Sequence, residues 1–544
     1  MVSQPLISLL MIKKAKKNFL LLTLIIFFAF IIRIYHTANY PPLLWDESAL
    51  GYNAYSILKT AKDEYGHFLP LIFKSFGDYK PGLYIYLTVP FVAIFGLNPL
   101  AIRLPSIVLG SLLPLLTYFL ILTIDKKQKK LAIVSALVLT FNPYNIHYSR
   151  GAWETNLFLF ILILSTYFFF KKKYFLSAVS FGLSLYSYQS AKMISLFMLF
   201  ILFFLNKKTL TQQLKKLSLS FIIPLTILPL PLIYGLIFKS DTNRLKVLSL
   251  FSYPQNSAEK QQIISESNSF DYRLFYNQTI SFFNNFLTRY FNHLSPKFLF
   301  SQGDWQNPRH SAPYIGVLLY PSILFLFIGL FTSDYKQKLN LFFLIFLLLA
   351  PIPASLTRDM IQATRSLPIS IPLVFFISQG IIFVINKTKL KTAVSRTIVL
   401  IYLISFAYYA DLYLNHMVLK SPSDWLYGYQ QANQYLIKHR KEYRNIYMTD
   451  FYGQPYIYYL FYSQYPPQQY QQQANLIENS NQDTGKITKI DKIHFSVPNL
   501  NSIENKTSTL AIYSYDQILR QGINKSENFK KFIPISPLLS LIHI

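Results

Sequence analysis

The chain has 544 residues, of which 52% are hydrophobic and only 14% charged, against about 25% charged in an ordinary soluble protein. The net charge is +28, but the lysines lie in tight clusters between apolar blocks and not along one amphipathic face, which argues against a nucleic-acid partner and for membrane topology signals. There is no Cys, which excludes disulfide and thiolate chemistry and leaves the redox compartment unread.

In chain order, KKAKK at 13–17 precedes the first apolar run, and RIYHTANYPP after it makes a poor cleavage site. The reading is an uncleaved first span with its N-terminus inside. Further spans are predicted, giving a set near 18–34, 102–124, 131–147, 156–170, 174–188, 191–205, 217–238, 313–331, 339–355, 367–385 and 397–413. The apolar segment 83–97 has only 15 residues and contains Pro90. If it lies along the surface, the Lys-rich loops 13–17, 125–130, 171–173, 206–216, 334–338 and 387–396 all fall on one side. Those loops hold 21 Lys or Arg against two acids, Asp125 and Asp334, and a bias of that size decides the threading. The predicted topology has about eleven spans, with 83–97 as a surface or re-entrant helix. The polar segments 37–101, 148–155, 239–312 and 356–366 fall outside, together with the tail.

The tail, 415–544, loses the apolar blocks and becomes rich in Gln, Asn and Tyr. QANQYLIKHRKEY, NIYMTD and PYIYYLFYS predict helix, strand and helix, and STLAIYSY and KFIPI predict strands. The expected organisation is therefore an all-α polytopic membrane domain, 1–414, followed by a small extracytoplasmic α/β domain. No GxGxxG or GxxxxGK[ST] loop occurs, and no repeat is evident.

Polar groups gather at the expected outer ends of the spans. Asp46 and Glu47 follow the first span directly; one reading makes Asp46 the N-cap of a helix through SALGYNAYSILKT, with Glu47 at the positive end of its dipole. Lys80 stands before Pro81 in GDYKPGLYIYL, either in a plain turn or as a point charge for a lipid phosphate. Arg103, at the mouth of the next span, can do the same or snorkel. Arg150 and Glu154 are four apart, either an intrahelical pair or the lining of a polar cleft. Arg309, His310, Arg358 and Arg365 return positive charge to the outer face against the topological bias; an anionic ligand or lipid headgroups would account for them. The histidines form no close metal pair, and no GxSxG context occurs.

The succession WDESALGYNAYSILK, DYKPGLYIYL, AIRLPSIVLGSLLPLLTYFL resembles the bacterial lipid-carrier-dependent glycosyltransferases, including protein O-mannosyltransferases and the lipid A aminoarabinose transferase. SPKFLFSQGDWQNPRHS and ATRSLP extend the resemblance, which covers roughly 30–415. It implies a GT-C fold: a bundle of membrane helices whose long first outer loop carries helices lying on the bilayer. It also implies inverting transfer of a monosaccharide from a polyprenyl phosphate to an acceptor hydroxyl or phosphate. By the same resemblance Asp46 orients or deprotonates the acceptor, with Glu47 beside it. Lys80 touches the donor phosphate, Arg103 matches an arginine opening the second span, and Arg150 and Glu154 stand where relatives carry an arginine and a second acidic motif.

The chain departs from the pattern in three places. Tyr79 stands where the aminoarabinose transferase has glutamate, Pro81-Gly82 replaces a double proline, and the second acidic motif is reduced to Glu154-Thr155-Asn156. These leave open a bound divalent cation and the identity of the acceptor; no cofactor is predicted.

A lipid donor puts the site at headgroup level, where cations stabilise the departing phosphate and a carboxylate takes the acceptor proton. The expected division is Asp46 with Glu47 as catalytic acids, Lys80, Arg103 and Arg365 on the donor phosphate, and Arg150, Glu154, Arg309 and His310 on substrate. Two alternatives stay open: a flippase or transporter for a lipid-linked sugar, and a related oligosaccharide ligase or polymerase. A transporter should carry charges near the midplane of its spans, and few acids lie there.

Overall fold

The computed structural model describes residues 4–212, 218–238, 277–477, 485–499, 508–521, 531–534 and 539–543, with a few isolated positions between 261 and 275, at 502 and at 536. Most of the expected outer segment 239–276, part of the Lys-rich loop 206–216 and parts of the tail lie outside the described residues.

The apolar runs fold as helices because no other backbone arrangement satisfies its own hydrogen bonds in lipid. The first is α1 (Gln4–Ile34). After α2 (Trp45–Thr60), a hairpin of β1 (Ile72–Ser75) and β2 (Asp78–Pro81) leads into α3 (Leu83–Phe95). Phe76 and Gly77, with φ of 56° and 94°, make its two-residue loop, so both central residues take the left-handed conformation of a type I′ turn. Lys80 therefore sits on a strand, opposite Phe73, and not in the plain turn the sequence allowed. Nor is Asp46 a helix cap: Leu44 is the N-cap, and Asp46 and Glu47 occupy the first turn.

The bundle continues with α4 (Pro99–Ile124), α5 (Lys129–Thr140), α6 (Pro143–Ser149), α7 (Glu154–Phe170), α8 (Tyr174–Ser184) and α9 (Ala191–Gln212). Beyond it lie α10 (Gln278–Asn292), α11 (Ser322–Thr332), α12 (Lys338–Leu349), α13 (Ser370–Lys387) and α14 (Lys391–Asp411). Four described helical stretches are long and apolar enough to cross a membrane: Pro99–Ile124, Lys338–Ser355, Ala363–Lys387 and Lys391–Lys420. A fifth is α6 with α7, bent by 116°. Local chemistry accounts for part of the distance between this count, made of the described residues, and the eleven spans expected. The run 131–147 splits where Asn142 accepts from Asn145 N (3.3 Å) and Pro143 opens a new helix. Pro229 and Pro231 mark a break in 218–238, which folds as short helical pieces, the last of them Leu230–Phe238. The helix expected at 313–331 begins only at Ser322.

In the tail, α15 (Tyr429–His439), β3 (Asn445–Met448) and α16 (Pro455–Tyr462) reproduce the predicted helix, strand and helix. With α17 (Pro467–Gln473), β4 (Lys489–Ile490), β5 (Ile493–His494), β6 (Thr509–Ser514), β7 (Lys531–Pro534) and β8 (Leu539–His543) they build a mixed six-stranded sheet of order β4-β5-β3-β6-β8-β7. β3 runs parallel to β5 and β6, and β8 antiparallel to β6 and β7.

Two cores result. One fills the bundle. The other joins the first polar loop to the tail, with Leu44, Tyr52, Ile57 and Phe73 packed among Tyr456, Tyr458, Phe461 and Tyr470. Hydrogen bonds cross the same seam: Tyr458 Oη donates to Leu43 O (3.0 Å), Tyr52 Oη to Tyr465 O (3.1 Å) and Gln471 Nε2 to Asp63 O (2.8 Å).

Candidate active site

The first turn of α2 holds two carboxylates with different surroundings. Asp46 is partly open, its side chain 37% exposed, and forms an ion pair with Lys80 through Oδ1. Its Oδ2 accepts from Trp45 Nε1 (3.1 Å). The pairing spans 34 residues of sequence, because the hairpin folds β2 back beside the start of α2. Lys80 also lies over the Phe76 ring, 5.7 Å from its centroid.

Glu47 is buried and saturated. It accepts from Arg103 Nε (2.8 Å) and Nη2 (2.6 Å), from Ala152 N (2.8 Å) and from Leu44 N (3.2 Å). Arg103 spends its remaining donors on Thr37 O (2.9 Å), Pro41 O (3.0 Å) and Pro42 O (3.3 Å). This arrangement departs from the roles expected for the two residues: no N–H of Arg103 is left for a donor phosphate, and no oxygen of Glu47 is left for an acceptor. Together they tie α2, α4 and the 37–42 strap to the break between α6 and α7, and so fix the backbone that carries Asp46.

Arg150 and Glu154 are not a pair on one helix. Arg150 caps α6, Glu154 starts α7, and the chain turns sharply between them. The Arg150 guanidinium donates to Ile32 O (2.7 Å) and lies over the Tyr413 ring. It is buried.

The loop 302–313 is organised by Asp304, whose carboxylate accepts from His310 Nδ1 (3.0 Å), Ala363 N (2.9 Å) and Asn307 N (3.0 Å). Burial works to raise the Asp304 pKa, but its hydrogen bonds and the His310 ring hold it below the usual carboxylate range. Burial also depresses His310, against the pull of Asp304, so the ring is neutral near pH 7. His310 thus serves the loop. Arg309, its neighbour, projects the other way and places its guanidinium over Trp45, 5.6 Å from the ring centroid. Arg365 is held by Asp359 (3.4 Å) and Thr357 (3.3 Å) on its own loop. Arg358 approaches the same Asp359 at 3.7 Å.

A cavity of about 290 Å³ opens beside this ensemble, walled by Trp45, Asn307, Arg309, Ser423, Asp424 and Tyr452 among others. Of these, only Arg309 was singled out from sequence. Trp45 and Asn307 stood inside quoted motifs as neighbours of charged residues. Ser423, Asp424 and Tyr452 belong to the tail, where no motif marks them. Among the described residues no three His, Asp or Glu side chains converge as metal ligands would.

The segments predicted to share the outer side meet at this end: 37–47, 78–81, 150–154, 302–310 and 358–365. At the far end, Lys338 Nζ donates to Asn206 Oδ1 (2.5 Å) and covers the Phe170 ring, joining loops predicted to lie inside.

A helical membrane bundle whose long first polar loop folds back over it carries an acid just after the first helix and a base on a hairpin beside it. Residues 23–240 match the family described as dolichyl-phosphate-mannose-protein mannosyltransferase. None of the curated proteins matches this chain in sequence. Among solved structures, ArnT from Cupriavidus metallidurans in the apo state aligns with a TM-score of 0.54 at 12% identity, over 97% of this chain and 98% of that one. The same protein bound to undecaprenyl phosphate aligns with a TM-score of 0.52 at 12% identity, over 96% and 97%. The Archaeoglobus fulgidus oligosaccharyltransferase in the apo form aligns at 0.47 and 11%, over 81% of this chain and 63% of that one. The ArnT likeness shows a shared fold along nearly the whole chain. The resemblance to polyprenyl-phosphate-dependent GT-C glycosyltransferases, first seen in short motifs, is borne out.

Proposed function

We propose that this chain is an inverting glycosyltransferase that moves a monosaccharide from a polyprenyl phosphate to an acceptor on the outer face of the cytoplasmic membrane. The observation that carries the reading is the Asp46–Lys80 pair, joined through the Trp45 indole N–H to the wall of an open polar cavity. The acceptor oxygen attacks the anomeric carbon as the bond from that carbon to the phosphate oxygen breaks. The bonding electrons leave with the phosphate, and the acceptor proton passes to Asp46. Lys80 releases Asp46 as it takes up the charge developing on the phosphate. Glu47 and Arg103 hold the geometry from beneath. The scheme uses no cofactor.

The undecaprenyl phosphate bound by the solved ArnT supports a polyprenyl-phosphate donor here. The lysine bias of the loops supports eleven spans with the N-terminus inside, which puts Asp46, Lys80 and the tail outside. We assign residues 1–414 to the membrane transferase and 415–544 to an extracytoplasmic α/β domain packed on its first loop.

The test uses purified protein and a panel of polyprenyl-phosphate sugars, with mass spectrometry scoring the freed carrier. Wild type should release it from at least one donor. Asp46→Asn should lose about two to four orders of magnitude in rate, the usual worth of a general base, while still inserting and folding. Lys80→Ala should weaken donor use. Full transfer by Asp46→Asn removes the assignment.

A further inference from the structure

We infer that the cavity beside Asp46 is an acceptor site for a neutral saccharide ring, shared between the membrane bundle and the tail; the inference rests on Asp46 as the acceptor's base. At about 290 Å³ the cavity lies near the lower limit of small-ligand pockets and has room for one pyranose unit.

Its lining sets the chemistry. Arg309 brings a cation and Asp424 an anion to one space, and neither forms an ion pair with the other or with any other described residue. Two opposite charges that face a cavity without closing on each other leave a gap for a group that accepts from one and donates to the other, and sugar hydroxyls do both. The charges cancel, so the site does not select a second phosphate or a basic peptide. Asn307 and Ser423 add further hydrogen-bonding groups.

The walls are held in place. Tyr452 Oη donates to Asp516 Oδ2 (2.9 Å), which fixes the tail side. The Trp45 indole meets Gly453, where any Cβ would lie 2.0 Å from the ring, and its N–H bonds Asp46. Trp45 thus ties this wall of the cavity to the carboxylate that would take the acceptor's proton.

The experiment is saturation-transfer NMR on the purified full chain without donor, using a panel of neutral methyl glycosides, a Ser/Thr-containing peptide and a glycosyl phosphate. At least one neutral glycoside should receive saturation on its ring protons. Asp424→Ala and Arg309→Ala should each weaken that binding by about tenfold or more, and Asp424→Glu should restore part of it. A panel in which only the peptide or the glycosyl phosphate responds overturns the inference, as does a silent panel or glycoside binding unchanged in both variants. Because no donor is present, that failure is separate from failure of the carrier-release assay.

Discussion

At the residue scale the two adjacent acids show how far apart neighbours can be in function. Asp46 remains partly exposed with a lysine on it, whereas Glu47 is enclosed with four donors on its two oxygens. Removing one partner of such a buried pair leaves the other charge uncompensated, which costs about 3–5 kcal/mol. Glu47→Gln should therefore lower the melting temperature in detergent markedly, whereas Asp46→Asn should not; equal melting curves for the two variants would refute the division. Glu64, which no motif marks, is a second buried acid. Burial pushes its carboxyl up to about 8, against the hydrogen bond from Asn53 Nδ2 (3.0 Å). The folded state thus holds a proton that the unfolded chain gives up above its ordinary value near 4.5. Stability should fall as pH rises through the window from about 4.5 to about 8, by at most about 1.4 kcal/mol per unit, and level off above it. Glu64→Gln should flatten that slope in thermal melts; an unchanged slope would show that Glu64 does not carry it.

At the element scale, helix contacts in lipid depend on close backbone approach, since burial gives no hydrophobic gain there. Gly329 on α11 and Gly380 on α13 face one another, and a Cβ on either would lie within 2 Å of a carbonyl oxygen, Phe376 O or Phe325 O. Gly329→Val should force the helices apart at a cost of about 1–3 kcal/mol, seen as a lowered melting temperature in detergent. A variant that melts like wild type would mean the bundle repacks there without loss. The same scale explains part of the span count. Composition locates apolar runs well, but a run does not report where Asn142-Pro143 or Pro229 and Pro231 will break it. The Lys80 strand was hidden for a related reason: the I′ loop at Phe76-Gly77 carries only one glycine as its signal.

At the scale of the whole molecule, the tail is not an appendage. It shares a core with the long first polar loop and contributes Ser423, Asp424 and Tyr452 to the cavity. Sidedness can be tested directly, because the chain has no Cys and single cysteines need no background removal. Lys441→Cys should react with a membrane-impermeant maleimide in intact cells. Lys127→Cys should react only after permeabilisation. The reverse pattern would put the site in the cytosol and end the outer-face assignment.

The sequence by itself determined the membrane class and the family likeness, and it drew attention to Asp46 and Lys80. These follow from local hydropathy, from lysine counts and from motifs in which neighbouring residues speak for one another. Only the tertiary structure decided which charges are tied to other parts of the scaffold. Arg103 and Glu47 neutralise each other across 56 residues, Arg150 turns to the carbonyls of α1, and Asp304 holds His310. Such pairings depend on distances between segments far apart in the chain, and a charged side chain carries the same letter whether its partner is a ligand or another residue.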